Sequence, residues 1–131
     1  MLNITSKSND WRARRLSNFS EHAFTIDNES MASVEGFIQG IKFPLDHPTR
    51  TLAFQSTGAR AKELGTKAQR DFVWWKDMII VYRSPMHRQL IERAIHAKFA
   101  QNTDALNALI ATDGITLIHE TGHPEPPDTS L

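Results

Sequence analysis

The sequence contains no cysteine, which excludes disulfide bonds, thiolate zinc sites and a cysteine nucleophile. It also has no excess of either charge, because fifteen Lys and Arg residues balance fifteen Asp and Glu residues. A generally basic nucleic-acid coat or a membrane-surface protein is therefore disfavoured, although local basic patches remain open. No apolar run reaches the length of a membrane span, and the first residues lack the apolar core of a signal peptide. We therefore expect a cytoplasmic protein that makes no membrane contact.

The 131 residues have the composition of one globular domain, with 40% hydrophobic and 23% charged residues, which is enough for a hydrophobic core. Residues 1–10 are polar, and we expect them to be loose. The alternating pattern over 22–27 predicts a strand that ends at an Asp27-Asn28 turn, and 115–118 predicts another strand. The apolar stretch 72–82 fits either a helix or a strand. The whole pattern predicts an α+β fold, a mostly helical single domain over 1–131 with a small β-sheet.

Helical patterns occupy most of the remaining sequence. Apolar periodicity and the end signals Pro44 and Gly65 predict helices over 31–43, 49–56 and 58–65, the first capped by Ser30 or Ser33. Two further helices are expected, one beginning at Ser84-Pro85 with Met86, Leu90, Ile91, Ala94, Ile95 and Phe99 facing the core, and one capped by Asn102 or Thr103 with Leu106, Leu109 and Ile110 facing inward.

The segment from His119 to His123 reads H-E-T-G-H and matches the H-E-x-x-H zinc motif, in which both histidines lie on one face of a helix and the glutamate is the general base. Here the motif follows a strand-like run, contains Gly122 and is followed by Pro124, Pro126 and Pro127. A helix cannot continue through such a sequence. We therefore expect no metal site and interpret the motif as a strand end that enters a loop. The remaining histidines show no ligand spacing: His22, His47, His87 and His96.

A row of polar residues is the most informative pattern in the chain. Glu35, Gln39 and Lys42 are spaced i, i+4 and i+7, so on a helix they form one stripe roughly 60° wide, beside a separate apolar arc. The row fits a polar site on a buried helix, or a solvated face with a Glu/Lys pair. Gly36 and Gly40 favour the first interpretation, since each costs about 1 kcal/mol relative to Ala inside a helix. Two glycines one turn apart indicate close approach by another backbone or a ligand.

Five short segments, taken in order, form a wider pattern from roughly Leu16 to Thr121. They are Leu16-Ser17-Asn18-Phe19, then Ser33 to Phe43, Ala61 to Gly65, Trp75, and Ala97 to Asn102 followed by Leu106 to Thr112. Together they resemble the NADAR family, the YbiA-like proteins, which has an SNF segment, an S-E-H-x-F-Q-A-x-K-F helix, an A-x-x-x-G helix end, a single Trp and a KF-x-Q-N helix pair. Each motif is weak alone, but their order and spacing together make the resemblance fairly specific.

The sequence departs from that family at three places. Gly36 stands where the family usually has His, the spacing from Trp75 to the KF segment is longer, and the late W-G-x-G segment is absent. The sequence ends at Leu131, where relatives continue into a C-terminal helix. We expect that this copy is either truncated or naturally without that helix. A missing helix would expose apolar surface and favour a homodimer or instability.

The resemblance implies cleavage of an N-glycosidic bond without a cofactor. One branch of the family resembles enzymes that act on phosphorylated ribosylamino-pyrimidine intermediates of riboflavin biosynthesis. Another resembles ADP-ribosyl hydrolases that remove ADP-ribose from guanine in DNA. The expected partner is therefore a small nucleotide-like substrate or an ADP-ribosylated nucleic acid.

The resemblance also assigns roles to residues in this sequence. Glu35 would stabilise the oxocarbenium charge at C1′ or activate water. Lys42 would hold phosphate, protonate the leaving base, or attack the opened sugar as an amine of lowered pKa. Gln39 would orient ribose hydroxyls and Asn18 would bind base or ribose. Trp75 would offer a stacking face for a base, or would be a core residue.

Three other functions remain open at the level of sequence. A non-catalytic module that binds ADP-ribose or an NAD derivative is the main alternative, because Gly36 replaces the usual His. The others are a structural or interaction protein and a zinc hydrolase.

Overall fold

The computed structural model describes residues 16–111 in full and the backbone of residues 2–3 and 117–118. Its elements, in chain order, are β1 (Leu2–Asn3), β2 (Phe24–Ile26), β3 (Glu29–Met31), α1 (Val34–Gly40), α2 (Pro48–Phe54), α3 (Gly58–Gly65), β4 (Phe72–Trp75), β5 (Met78–Val81), α4 (Pro85–Gln101), α5 (Thr103–Ala111) and β6 (Leu117–Ile118). The predicted α+β, mostly helical fold is confirmed. Over the part that the structure describes, no helix is long and apolar enough to cross a membrane.

The strands form three separate pairs, not one sheet. β1 lies parallel to β6, β2 is antiparallel to β3, and β4 is antiparallel to β5. The predicted strand over 22–27 is confirmed by β2, and its turn places Asp27 and Asn28 at φ 49° and 67°. Asp and Asn tolerate this left-handed region, which a two-residue hairpin turn requires. The hairpin returns through β3, so the prediction that a helix begins at residue 31 is wrong.

The ambiguous stretch 72–82 forms a second hairpin, β4–β5, with Lys76 in its turn at φ 53°. Val73, Trp75 and Ile80 point into the core. The opposite face carries Phe72, Trp74, Ile79 and Val81, and three of these are exposed by more than 40%. Buried and exposed residues alternate along these strands, but the sequence shows no alternation because both faces are apolar.

Helix α1 lies at the centre of the domain, and every residue from Val34 to Gly40 is buried. Ser33 caps it by accepting the backbone N–H of Gly36 at 2.9 Å. A Cβ on Gly36 would lie 2.5 Å from the carbonyl oxygen of Ala53 and 2.6 Å from that of Ser56. A Cβ on Gly40 would collide with the ring of Phe54. The predicted close approach of another backbone is thus confirmed at Gly36, where α2 and the turn after it cross α1.

Arg50 links the crossing of α1 and α2 to the β4–β5 hairpin. It is 4% exposed, and its Nη1 donates to the carbonyl oxygens of Phe43 at 2.8 Å and Trp74 at 2.9 Å. The chain following α1 is also joined directly to β4, since the Trp74 N–H donates to the carbonyl of Ile41 at 2.8 Å. The segment that carries Lys42 is therefore held between α2 and β4.

The long helix α4 begins as predicted at Ser84-Pro85, and its buried face carries Leu90, Ile91 and Ala94. Met86, predicted to face the core, is 51% exposed. The prediction for α5 is wrong, because Leu106, Leu109 and Ile110 are 38–62% exposed whereas Ala105 and Ala108 are fully buried. The apolar arc of α5 includes both alanines and leucines, and small residues allow close contact between helices. The side of α5 that packs against the domain is therefore the one with the small alanines, not the one with the largest apolar side chains.

Replacing Gly36 by Ala tests the crossing of α1 and α2. In an ordinary helix this change stabilises by about 1 kcal/mol. Here the new methyl group meets two backbone carbonyls that no rotamer change can move, so we expect a loss of about 1–3 kcal/mol. Urea unfolding followed by circular dichroism measures it, with the exposed helical change Gln89→Ala as control. Stabilisation by Gly36→Ala would show that the crossing is looser than described.

Candidate functional site

The predicted polar row forms a continuous hydrogen-bonded chain along α1. The Gln39 Nε2 donates to Glu35 Oε1 at 2.8 Å, and the Lys42 Nζ donates to Gln39 Oε1 at 2.9 Å. The amide therefore separates the carboxylate from the amine and contacts both. Because a Gln side chain offers one end that donates and one that accepts, it suits this position between an acceptor and a cationic donor.

The row is buried, which excludes the solvated-face interpretation. Glu35 and Gln39 are each 7% exposed and Lys42 is 2% exposed. Burial of charged side chains is costly unless they are paired and hydrogen-bonded. Buried ionisable side chains with perturbed pKa values cluster at functional sites, and Lys42 is such a group.

The electrostatic environment of Lys42 lowers the pKa of its amine. Burial is the largest cause and, together with nearby cations, it lowers the pKa of Lys42 to about 8, while Glu35 acts in the opposite direction. The cations are Arg70, Arg83 and Lys62, which are all exposed and come from three different segments. A buried amine of lowered pKa therefore lies in the positive field of these three exposed cations, which are called the rim below.

Gln69 positions the segment that carries Arg70. Its Nε2 donates to the carbonyl oxygens of Lys42 at 2.8 Å and Phe72 at 2.7 Å. Its Oε1 accepts the N–H groups of Asp71 and Phe72. The loop between α3 and β4 is thus fixed to the backbone of Lys42 itself, and this brings Arg70 to the site.

Asn18 lies at the opposite end of the row. Its carbonyl oxygen accepts the backbone N–H of Glu35 at 3.0 Å, so the segment that contains it covers the first turn of α1. Lys98, 1% exposed, holds the same segment by donating from Nζ to the carbonyl oxygen of Ser17 at 2.8 Å. Burial lowers the pKa of Lys98 to about 7. The structure therefore brings Asn18 to the same helix turn as Glu35.

Gly65 makes room for Gln39. A Cβ at position 65 would overlap the Gln39 side-chain amide, so the C-terminal turn of α3 is pressed against it. This contact explains why the glycine that ends α3 matters to the site as well as to the helix. In the orientation that this space allows, the Gln39 amide bridges Glu35 and Lys42.

Trp75 does not join the row, and of its two predicted roles the structure favours that of a core residue. The residue is fully buried, its ring lies edge-on to Phe37 with centroids 5.1 Å apart, and its Nε1 donates to Asp27 Oδ2 at 2.8 Å. This hydrogen bond is the main cause of the lowered pKa of Asp27. A base could stack on this ring only if the core opened.

Several residues of the site were not found from the sequence. Arg70, Arg83 and Lys62 reach Lys42 from separate loops and helices, and His87, which had been noted only for its lack of ligand spacing, lies within the field of Lys42. Residues from different segments leave no periodic signal, so only the folded chain brings them together. The H-E-T-G-H segment lies outside the described residues. Within residues 16–111, no group of three or more His, Asp or Glu side chains could hold a metal ion.

Comparisons with known proteins identify the family and the fold of the chain. Residues 10–131 match the family described as bacteriophage protein GP30.3. The chain is 30% identical over 113 residues to the uncharacterized 17.1 kDa protein in the Gp30-rIII intergenic region of Enterobacteria phage T4, covering 83% of this chain and 74% of that protein.

The fold is similar to the NMR structure of the E. coli protein YbiA, with a TM-score of 0.64 over 92% of this chain at 19% identity. The chain spans 66% of the YbiA chain. The predicted resemblance to YbiA-like proteins is therefore confirmed for the fold. By the extent of its sequence match, the chain belongs to the bacteriophage GP30.3 family.

Proposed function

We propose that the protein is an N-glycosidase that hydrolyses the bond between C1′ of a phosphorylated ribosyl group and a nitrogen of a base. The observation that carries this proposal is the buried chain of hydrogen bonds from Glu35 through Gln39 to Lys42. It supplies a carboxylate on α1 and an amine two residues past the end of that helix. The substrate class follows from the resemblance to YbiA-like proteins and from the charge around the row.

Glu35 is assigned to the sugar. Departure of the base leaves positive charge at C1′ and the ring oxygen, and a carboxylate beside them stabilises it or takes a proton from the attacking water. Gln39 holds one oxygen of Glu35 at 2.8 Å and limits its rotation. Asn18 and the remaining hydrogen-bonding capacity of Gln39 are assigned to ribose or base.

Lys42 is assigned to the leaving base as its proton donor. Water adds its oxygen to C1′, the C1′–N bond breaks with its electron pair going to nitrogen, and Lys42 supplies the proton that nitrogen takes up. A proton donor works best when its pKa is near the working pH, and the pKa of Lys42 is about 8. Holding phosphate and attacking the opened sugar are the competing roles.

The rim of Lys62, Arg70 and Arg83 favours an anionic substrate. These exposed cations all act on Lys42, and arginine in particular binds phosphate oxygens with two parallel hydrogen bonds. Bound phosphate would also offset the repulsion that the rim exerts on the protonated amine. A free ribosylamino phosphate and ADP-ribosyl-guanine in DNA both fit this charge pattern.

A non-catalytic module that binds ADP-ribose is the second candidate. It is favoured by Gly36, which leaves the helix without the histidine of YbiA-like proteins. The space that a side chain would take there is occupied by the carbonyl groups of Ala53 and Ser56. The enzyme and the binder differ in what happens when Glu35 is changed.

Replacing Glu35 by Gln should reduce kcat at least 100-fold, because the amide cannot stabilise the positive charge or accept a proton. Binding of ADP-ribose should change little, since the shape is kept and a group used in the transition state adds little to ground-state affinity. Mass spectrometry of released base, with ADP-ribosyl-guanine DNA and a phosphorylated ribosylamino-pyrimidine as substrates, measures turnover.

The matched control is Glu92→Gln on the exposed face of α4, which should leave turnover unchanged. Release of base by wild type from one substrate only would identify the branch. Tight ADP-ribose binding without release from either substrate would favour the binder instead.

The pH dependence of kcat/KM tests the role of Lys42. A proton donor must be protonated, so kcat/KM should be constant at neutral pH and fall about tenfold per unit above pH 8, the approximate pKa of the free amine. Lys42→Met should remove this limb together with most activity, while Lys67→Met, at an exposed position, should keep both. A kcat/KM that rises through pH 8 would contradict proton donation.

If Lys42 instead attacked the sugar as an amine, a covalent intermediate on Lys42 would be expected. The neutral amine would add to C1′ of the ring-opened sugar and expel the base, which takes up the proton that the amine loses. The imine left on Lys42 is reduced by borohydride to a stable adduct. We expect no adduct on Lys42 when turnover is quenched with borohydride and the peptides are analysed by mass spectrometry. An adduct on that peptide in wild type, absent from Lys42→Met, would reassign Lys42 as the nucleophile.

A further inference from the structure

His87 is a buried histidine whose ring is held in a defined way. It is the third residue of α4 and is fully buried, and the Tyr82 ring lies beside it with centroids 5.1 Å apart. The backbone N–H of Arg83 donates to His87 Nδ1 at 2.9 Å. Arg83 adopts φ 64°, a left-handed conformation that is uncommon for a non-glycine residue. A strained backbone at the rim of the site thus fixes one nitrogen of this ring.

That hydrogen bond determines the tautomer. Because Nδ1 accepts a hydrogen bond, it carries no proton, and the single proton of the neutral ring must be on Nε2. Within residues 16–111 the buried Nε2 has no hydrogen-bond partner. A buried donor without an acceptor destabilises the folded state. The Nε2–H group of His87 is therefore held in one orientation and has no acceptor within the described residues.

The ring lies in the electrostatic field of the polar row. Burial is the largest cause that lowers the pKa of His87 to about 4, and the charge of Lys42 comes next, ahead of Arg83, whose own backbone touches the ring. Helices α1 and α4 pack against each other, which accounts for this closeness. The imidazole is therefore neutral at physiological pH, and its Nε2 carries its proton throughout the working range.

We propose that the Nε2–H of His87 donates a hydrogen bond to a phosphate oxygen of the ribose phosphate that binds beside Lys42. The proposal rests on the glycosidase function only for the class of ligand. Lys42, Arg70 and Arg83 set a positive potential around the site, so the acceptor that fits is an anionic oxygen. Hydrogen bonds to charged groups are stronger than those between neutral groups.

Binding of phosphate requires that the buried Nε2 of His87 become accessible. Lys42 and His87 are both covered from solvent, whereas Arg70 and Arg83 are exposed. Long arginine side chains change rotamer on the nanosecond timescale, and a phosphate that pairs with them draws them away from the amine that they repel. Binding would then replace one unsatisfied donor by a charge-assisted hydrogen bond.

Two substitutions separate the ring's two nitrogens. His87→Asn places an amide oxygen where Nδ1 accepts from Arg83 and removes the distant donor. His87→Gln places an amide nitrogen near the position of Nε2. We expect His87→Asn to keep its melting temperature close to that of wild type and to bind ADP-ribose and ribose 5-phosphate at least tenfold more weakly. We expect His87→Gln to recover part of that affinity.

The decisive measurement follows the imidazole itself in protein labelled with ¹⁵N-histidine, with the His87 signals assigned by their loss in His87→Asn. We expect the Nε2–H tautomer from pH 5 to pH 9 and a downfield shift of its proton on titration with ADP-ribose or ribose 5-phosphate. A shift with both probes identifies the shared ribose phosphate as the ligand, and a shift with ADP-ribose alone assigns the donor to the diphosphate.

An Nε2–H signal that does not move at saturation by either probe would overturn the proposal, as would undiminished affinity of His87→Asn. Failure of wild type to bind either probe would overturn it as well. The base-release assay separates this result from the fate of the glycosidase. A shift without turnover leaves the donor in place and removes the enzyme, whereas turnover without a shift does the reverse.

Discussion

The burial of α1 on all sides is the constraint on which the rest of the structure depends. The crossing at Gly36 and Gly40 brings α2 into contact with the α1 backbone, and Gly65 does the same for α3 at Gln39. Once these helices are close, the row of Glu35, Gln39 and Lys42 is shielded from water, and its members hydrogen-bond to one another. The hydrogen bonds from Lys42 to Gln39 and from Gln39 to Glu35 are the result. The chemistry of the site is thus a consequence of glycine placement.

The sequence predicted this core well because its signals are local. The i, i+4, i+7 spacing of Glu35, Gln39 and Lys42 and the two glycines of α1 need only helix geometry to be understood. The cap at Ser84 and the glycine end of α3 are equally local, and both lie where predicted. Strand β3 was missed because its three residues are too short to show a period beside a strong helix pattern.

What could not be predicted depends on which elements meet. The exposed leucines of α5 and the inward alanines belong to one apolar arc, and only contact with α4 selects between them. Trp75 was assigned two roles, and only its neighbours Phe37 and Asp27 decide for the core. His87 belongs to no sequence motif. Its distinguishing feature is a buried Nε2 without a hydrogen-bond partner, which is a property of the folded state.

The two buried amines also link folding to the uptake of protons. Lys42 and Lys98 have pKa values of about 8 and 7 in the folded chain, whereas a lysine in an unfolded chain has a pKa near 10.4. Between these values the unfolded chain binds more protons than the folded chain, so the free energy of unfolding increases with pH across that interval. Below pH 7 both amines are charged inside the core, and this increment of stability is absent. Lowering the pH from about 10 to about 7 should therefore reduce the free energy of unfolding, and further acid should change nothing through these two amines.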